Sequence, residues 1–268
     1  MLRKAGIETP VTDSQLILSH ILKIPRWKLI TDRDKELPQD TVDYYFVLIK
    51  KRAEGVPVAY LTGKKHFYGF EFEVEEGVLI PRPETEILVE ETLKRVPKDK
   101  HVHGLEIGVG SGIISISLLK QRPKLVMTAV DISDKALYIT AKNAVKHGVV
   151  DRLILLKSDL FEKIPENHKF DFIVSNPPYI SEEEYKGLSK EVRKEPVEAL
   201  IAGKEGTEFY ERIINKGVFF LKEDGFFAFE IGYNQCGKVR KFLKEKGFHT
   251  ICKKDLQNLD RVIIGEKR

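Results

Sequence analysis

Residues 175–180 read Ser-Asn-Pro-Pro-Tyr-Ile and follow directly on Phe170-Asp171-Phe172-Ile173-Val174. Pro177 and Pro178 have no backbone N–H, so neither can serve a central sheet ladder. Each also drives the residue before it into an extended conformation, which stiffens Asn176 and Pro177. The product is a rigid bracket just past a strand end, with free carbonyls and with an amide and an aromatic ring on either side. Asn176 Oδ1 and the Pro177 carbonyl can accept hydrogen bonds from the two N–H groups of one planar nitrogen, while Pro178 holds the turn and Tyr179 packs on the plane. A plain strand-ending turn is the alternative reading when the prolines are taken alone.

Other residues decide. A second apolar run leads into Glu106-Ile107-Gly108-Val109-Gly110-Ser111-Gly112. Glycines let backbone approach a ligand where a side chain would clash. A dinucleotide fold wants GxGxxG, but Ile113 stands where its last glycine belongs. The spacing is instead acidic-x-Gly-x-Gly-x-Gly, which resembles the first motif of S-adenosylmethionine-dependent methyltransferases. Asp131 lies 23 residues beyond Gly108 at the end of the next apolar run. A carboxylate there can accept from both ribose hydroxyls of a nucleoside, a feature that NAD enzymes share. A third run ends Lys157-Ser158-Asp159-Leu160-Phe161. In methyltransferases an acid at this strand end bonds the adenine amino group and an adjacent apolar residue, here Leu160, packs on the ring. A surface acid is the alternative for Asp159. All four landmarks fall at the carboxyl ends of successive strands, where open α/β sheets bind ligands.

The elements that carry them alternate. Strands are expected at 104–108, 125–131, 152–157, 170–175, 226–231, 249–254 and 261–265, with helices at 112–121, 134–146, 207–221 and 235–246. Such alternation means a doubly wound parallel sheet with right-handed crossovers. The first 62 residues read as helical: Thr12-x-x-Gln15 is a capping-box pattern, and Pro38 opens a helix that stops at Gly55. Trp27 is expected in the core. Residues 63–80, with Phe67, Phe70, Phe72 and Val74 among glycines, read as a β-hairpin linker ahead of a domain spanning 81–268. Pro83 suits a helix first turn. Arg82 and Glu84 either line the ligand mouth or, for Glu84, cap that helix.

Composition bounds the rest. The chain has 268 residues, 42% hydrophobic and 32% charged, with a net charge of +4. That balance permits a nucleic-acid partner without requiring one. Cys236 and Cys252 lack CxxC spacing, which predicts a reduced, cytoplasmic setting and no zinc site. No apolar run approaches a membrane span, and the N-terminus lacks a signal peptide's apolar core. His101-Val102-His103 precedes the first sheet strand, away from the ligand edge, and no metal is expected.

The sequence as a whole resembles the peptide chain release factor glutamine methyltransferases, the PrmC/HemK family. The resemblance rests on the helical N-terminus, Tyr68-Gly69 to Glu76-Gly77, Ile80-Pro-Arg-Pro-Glu-Thr-Glu86, the loop 106–112, Asp131 and Ser175-Asn-Pro-Pro-Tyr-Ile180. It extends to Glu195-Pro196, Ala199-Leu200, Gly203, Gly206 and Asp260-Arg261-Val262. Asn-Pro-Pro-Tyr alone is shared with N6-adenine and other amino methyltransferases, whereas the 80–86 stretch is much narrower. Glu106 and Val109 stand where relatives often have Asp and Thr, and Leu160 replaces an aromatic found in some of them. The resemblance implies a Rossmann-like class I methyltransferase fold, with a seven-stranded mixed sheet whose last strand is antiparallel, behind an N-terminal helical bundle that recognises substrate. It implies S-adenosylmethionine bound by Gly108, Val109, Gly110, Ser111, Gly112, Asp131, Asp159, Leu160 and Asn176. It implies methylation of the glutamine side-chain nitrogen in the Gly-Gly-Gln motif of release factors, with a monomeric enzyme and no direct nucleic-acid partner. Asn176, Pro177, Pro178 and Tyr179 would hold the substrate. Two other readings remain: an N6-adenine methyltransferase acting on DNA or RNA, which uses the same bracket but needs a basic groove and stacking side chains, and a non-catalytic binding protein on the same fold, against which the intact loop and bracket argue.

Overall fold

A computed structural model describes residues 1–267. The N-terminal region holds α1 (Pro10–Leu22), α2 (Arg26–Thr31), α3 (Gln39–Ala53) and α4 (Val58–Thr62). α1 starts at Pro10 rather than at the Thr12 capping box. Proline's fixed φ suits the first helical position, and the Thr9 hydroxyl donates to Asp13 across the first turn at 2.8 Å. α3 starts after Pro38 and ends just before Gly55, as its sequence predicts. Leu2, Ile17, Leu48 and Ile49 form a small separate core. Trp27 does not join it. It lies 65% exposed on the short α2, contrary to the core placement expected from its type.

The hairpin β1 (Lys64–Phe67) and β2 (Phe70–Glu73) turns at Tyr68-Gly69, both with positive φ as a tight two-residue turn requires. Phe67 and Phe72 drop from it into the main core. Next come α5 (Thr85–Leu93), β3 (Val102–Ile107), α6 (Ile113–Gln121), β4 (Leu125–Asp131), α7 (Asp134–His147), β5 (Leu153–Lys157) and β6 (Phe170–Ser175). An irregular segment follows, with β7 (Ile180–Ser181), α8 (Glu182–Lys186) and β8 (Ile201–Gly203). The chain closes with α9 (Glu208–Gly217), β9 (Leu221–Glu230), α10 (Cys236–Glu245), β10 (His249–Lys254) and β11 (Asp260–Glu266). β9 begins five residues before the expected 226. The polar Lys222-Glu223-Asp224 cannot enter the sheet core and is extruded where the β6–β9 register shifts.

The seven-stranded sheet runs β10-β11-β9-β6-β3-β4-β5. β11 is antiparallel to both its neighbours, and β9, β6, β3, β4 and β5 are mutually parallel. Alternate residues of the central strands face two cores. Phe172, Val174 and Ala228 pack under α5 and α6, while Leu105, Ile173 and Phe227 pack under α9 and α10. Burial on both faces explains why these strands read as continuous apolar runs.

Two long-range links were not expected from sequence. Cys236 at the start of α10 and Cys252 in β10 form a disulfide, with Cα atoms 6.6 Å apart, which corrects the reduced state predicted from their spacing. They lie 16 residues apart, yet the α10–β10 reversal folds them onto each other. Arg52 on α3 is buried and donates to Asp13 of α1 at 2.7 Å and to Glu191 of the irregular segment at 2.7 Å. Arg52→Ala strands Asp13 as a buried charge and should destabilise the helical region by about 3–5 kcal/mol. Denaturation with tryptophan emission from Trp27 as the probe measures this, and an unchanged midpoint would refute the link.

Candidate active site

Strand register assembles the site. Ile107 of β3 pairs with Ser175 of β6, and Ser175 pairs with Phe229 of β9. Gly108, Asn176 and Glu230 therefore leave the sheet side by side at its carboxyl edge. On the far side of β3, Val130 pairs with Ile107, and the amides of Gly108 and Val109 donate to the Val130 carbonyl at 2.9 and 3.1 Å. Asp131 pairs with Lys157 of β5, and the Ser158 amide donates to its carbonyl at 3.0 Å. All four sequence landmarks thus share one edge.

The loop 106–112 is held from below and open above. Gly112 caps α6, while Val109 and Ser111 are buried. Asp131 Oδ2 accepts from the Gly110 amide at 3.0 Å, and Oδ1 from the Ser133 amide at 2.9 Å. Burial raises the Asp131 pKa against these bonds. Thr140 and Asn143 of α7 hold the carbonyls of Gly110 and Ser111 at 2.9 Å each, and Asn143 also pairs with the backbone of Glu73 in the hairpin. Gly108 and Gly110 have φ of 74° and 56°, and a Cβ built on either would meet nothing within 4 Å. Glu106 is buried. Its Oε2 accepts from the amide and hydroxyl of Ser115, while Oε1 has no partner. Burial, followed by the repulsion of Asp131 after the Ser115 bonds are met, pushes its pKa up to about 8. An open glycine backbone, a carboxylate at the next strand end and an orphaned buried acceptor fit a nucleoside with a cationic tail. Asp159 behaves differently. Its carboxylate pairs with Arg212 of α9 at 3.0 Å, at the surface. Leu160 adopts a φ of 49° and packs against the core under α9.

The bracket is tied at every point except its acceptors. Ser175 Oγ donates to the Ile107 carbonyl at 2.7 Å. Asn176 Nδ2 donates to Thr85 Oγ1 in the first turn of α5 at 3.4 Å, which leaves Oδ1 as the open end of the amide. Among the described residues nothing donates to the Pro177 carbonyl. Tyr179 Oη donates to Glu230 Oε1 at 3.4 Å, and burial beside that carboxyl raises the phenol's pKa. Gln235 Nε2 donates to the carbonyls of Tyr179 and Gly206 at 2.8 and 3.0 Å, and its Oε1 accepts from the Gly232 amide at 2.9 Å. Gly206 has a φ of 75°, and a Cβ there would stand 2.8 Å from the Tyr179 carbonyl, so this approach requires glycine. Glu195 is buried and takes the Ile80 amide at 2.9 Å and Arg82 at 2.5 Å. Arg82 is thereby a strut for its own loop. Glu84 sits at the N-cap of α5 with no side-chain capping bond.

Sequence reasoning assigned no role to Gln235, Thr85 or Glu230. One signal was available: Glu230-Ile231-Gly232 repeats Glu106-Ile107-Gly108 at a second strand end. Gln235→Leu removes three bonds from buried or half-buried backbone groups and should cost about 2–4 kcal/mol in stability. Chemical denaturation measures this, and a variant as stable as wild type would show that Gln235 does not clamp the bracket.

Residues 1–63 match the PrmC N-terminal domain and residues 83–204 the methyltransferase small domain. In solved structures the fold resembles a ribosomal protein L11 methylase from Lactobacillus delbrueckii subsp. bulgaricus, with 24% identity, a TM-score of 0.53, and coverage of 73% of this chain and 84% of that one. It also resembles a methyltransferase from Pyrococcus furiosus, with 18% identity, a TM-score of 0.57, and coverage of 76% and 91%. In sequence the chain is 45% identical to a release factor glutamine methyltransferase of Aquifex aeolicus, over 95% of this chain and 90% of the relative. It is 41% identical to one of Clostridium botulinum, over 100% and 95%. Identity at that level along nearly the whole of both partners, together with the matched N-terminal domain, places the chain in the release factor glutamine methyltransferase family.

Proposed function

We propose that this chain methylates the side-chain amide nitrogen of the glutamine in the Gly-Gly-Gln motif of peptide chain release factors, with S-adenosylmethionine as donor. One observation carries the site reading: Asn176 is anchored through Nδ2, with Oδ1 open, beside an open glycine loop. S-adenosylmethionine, when bound, supplies an electrophilic sulfonium methyl. Gly108, Val109, Gly110, Ser111 and Gly112 are the backbone that would hold it, with Asp131 on the ribose and Leu160 against the base. Asp159 would reach the base only by leaving Arg212.

An amide nitrogen is a poor nucleophile because its lone pair is delocalised. Asn176 Oδ1 and the Pro177 carbonyl accept its two N–H groups, fix its direction and favour positive charge growing on it. Positioning and electrostatics of this kind supply most of the barrier reduction. Pro177 and Pro178 keep the bracket from relaxing. Tyr179 covers the amide plane and stabilises developing charge through its ring.

Residues 1–62 serve as the substrate-recognition region, 63–80 as the linker and 81–268 as the catalytic domain. Trp27 and Ile30 of α2 and Tyr44, Phe46 and Val47 of α3 are at least half exposed, which suits docking of a protein. A monomer acting in the cytoplasm with no direct nucleic-acid partner fits this reading. Among the described residues no helix is long and apolar enough to cross a membrane.

Incubation with labelled S-adenosylmethionine and a release factor, a nucleic acid or neither tests the reading. Mass spectrometry should place one methyl group on the glutamine, and transfer to adenine instead would favour an N6-adenine methyltransferase. Asn176→Ala should lower kcat about 100-fold or more with the fold retained. A rate near wild type rules out its role. Asp131→Ala removes charge-assisted bonds and should weaken cofactor binding by about 2–4 kcal/mol. Calorimetry measures this, and unchanged affinity contradicts the assignment.

A further inference from the structure

Glu230 is the last residue of β9 and is 1% exposed. Its Oε1 accepts from Tyr179 Oη at 3.4 Å, and its Oε2 has no hydrogen-bond partner. Thr85 lies near enough to the same carboxyl to favour its charged form, although no hydrogen bond joins the two here. Thr85 also accepts from Asn176 Nδ2. A buried carboxylate oxygen without a full partner costs stability that an apolar residue at the same place would not. Its position therefore calls for a reason outside packing.

We propose that Glu230 is the positioning residue of the transfer site: its carboxylate orders Asn176 through Thr85 and Tyr179 directly. This rests on the bracket being the methyl-acceptor site. The ordering follows from donor direction. Thr85 has one hydroxyl proton. When it donates to an ionised Glu230, its oxygen is left as an acceptor towards Asn176, so Asn176 must present Nδ2 to Thr85 and Oδ1 to the substrate. The ionised carboxylate presents only acceptors to Thr85 and Tyr179, which fixes the direction of both bonds. A protonated carboxyl donates to one of them, and the Asn176 amide loses its enforced orientation. Glu230 touches no substrate and receives no proton from it. The proton lost by the methylated nitrogen leaves to solvent.

The charges around Glu230 make this balance sensitive near neutral pH. Burial raises its pKa most, Thr85 lowers it, Glu84 from the α5 cap raises it, and Arg261 of β11 and Tyr179 lower it, for a result of about 7. Arg82 and Glu84 face the same cluster through Tyr179, and Tyr210 of α9 donates to the Glu230 carbonyl at 2.9 Å. Since the ionised form is the ordering one, kcat should rise as pH increases through about 7.

The full-length wild type, Glu230→Gln and Thr85→Val are compared. Glu230→Gln should lose about 10- to 100-fold in kcat, keep its cofactor affinity and lose the acidic limb of the kcat profile. Infrared spectra of the cofactor-free wild type minus those of Glu230→Gln should isolate a buried protonated-carboxyl band, separate from that of Glu106, that titrates near neutral pH and shifts upward in Thr85→Val. Wild-type kcat with an unchanged acidic limb in Glu230→Gln overturns the proposal. So does a carboxyl that titrates in the ordinary range. If Glu230→Gln does not fold, Thr85→Val decides by the same kcat loss and band shift. Failure of the wild type to methylate a release factor would sink the substrate assignment, while the infrared titration still tests Glu230.

Discussion

The lateral register of β3, β6 and β9 is the constraint on which the site depends. Three parallel strands buried on both faces cannot slip by one residue, because every side chain would change sides. Phe172 and Val174 belong to one core and Ile173 to the other. Packing, not ligand chemistry, therefore aligns Ile107 with Ser175 and Ser175 with Phe229. The next residues out are a glycine loop, an asparagine and a glutamate, and they meet because the cores below them permit no other alignment.

Beyond the sheet edge, buried polar side chains replace the missing ladder. Gln235, Glu195 and Asn143 each hold backbone groups from segments far away in sequence. Prolines make such a rim rigid but leave it short of ladder hydrogen bonds, and these side chains supply bonds in their place. Among the described residues four buried polar atoms lack partners: Ser117 Oγ, Arg240 Nε, Glu106 Oε1 and Glu230 Oε2. The two carboxylates stand at the ends of β3 and β9, on either side of Asn176, and in both burial drives the pKa upward. Two carboxyls whose burial favours the neutral form thus flank the bracket, as perturbed groups at functional sites do.

The helical region is mechanically joined to this rim. Arg52 spans from Asp13 to Glu191, and Glu195, four residues farther on, holds Ile80 and Arg82. The segment between the bracket and β8 is therefore gripped from both sides. A partner that engages α2 and α3 pushes on a structure continuous with the bracket.

The sequence by itself determined the local elements and the strand-end landmarks. Continuous apolar runs marked buried strands, glycine spacing marked the loop, and consecutive prolines marked the bracket, because each feature acts through its own backbone. Strands at 125–131, 170–175 and 249–254 fall where their runs predicted. What failed depended on distant neighbours. Trp27 is exposed although α2 packs on α1, and Asp159 pairs with Arg212, 53 residues away. Cys236 meets Cys252 because a helix and a strand reverse on each other. Only the tertiary structure placed Thr85, Glu230 and Gln235 around Asn176 and Tyr179. They come from three separate elements, and no spacing along the chain encodes a meeting that is fixed by sheet order and core packing.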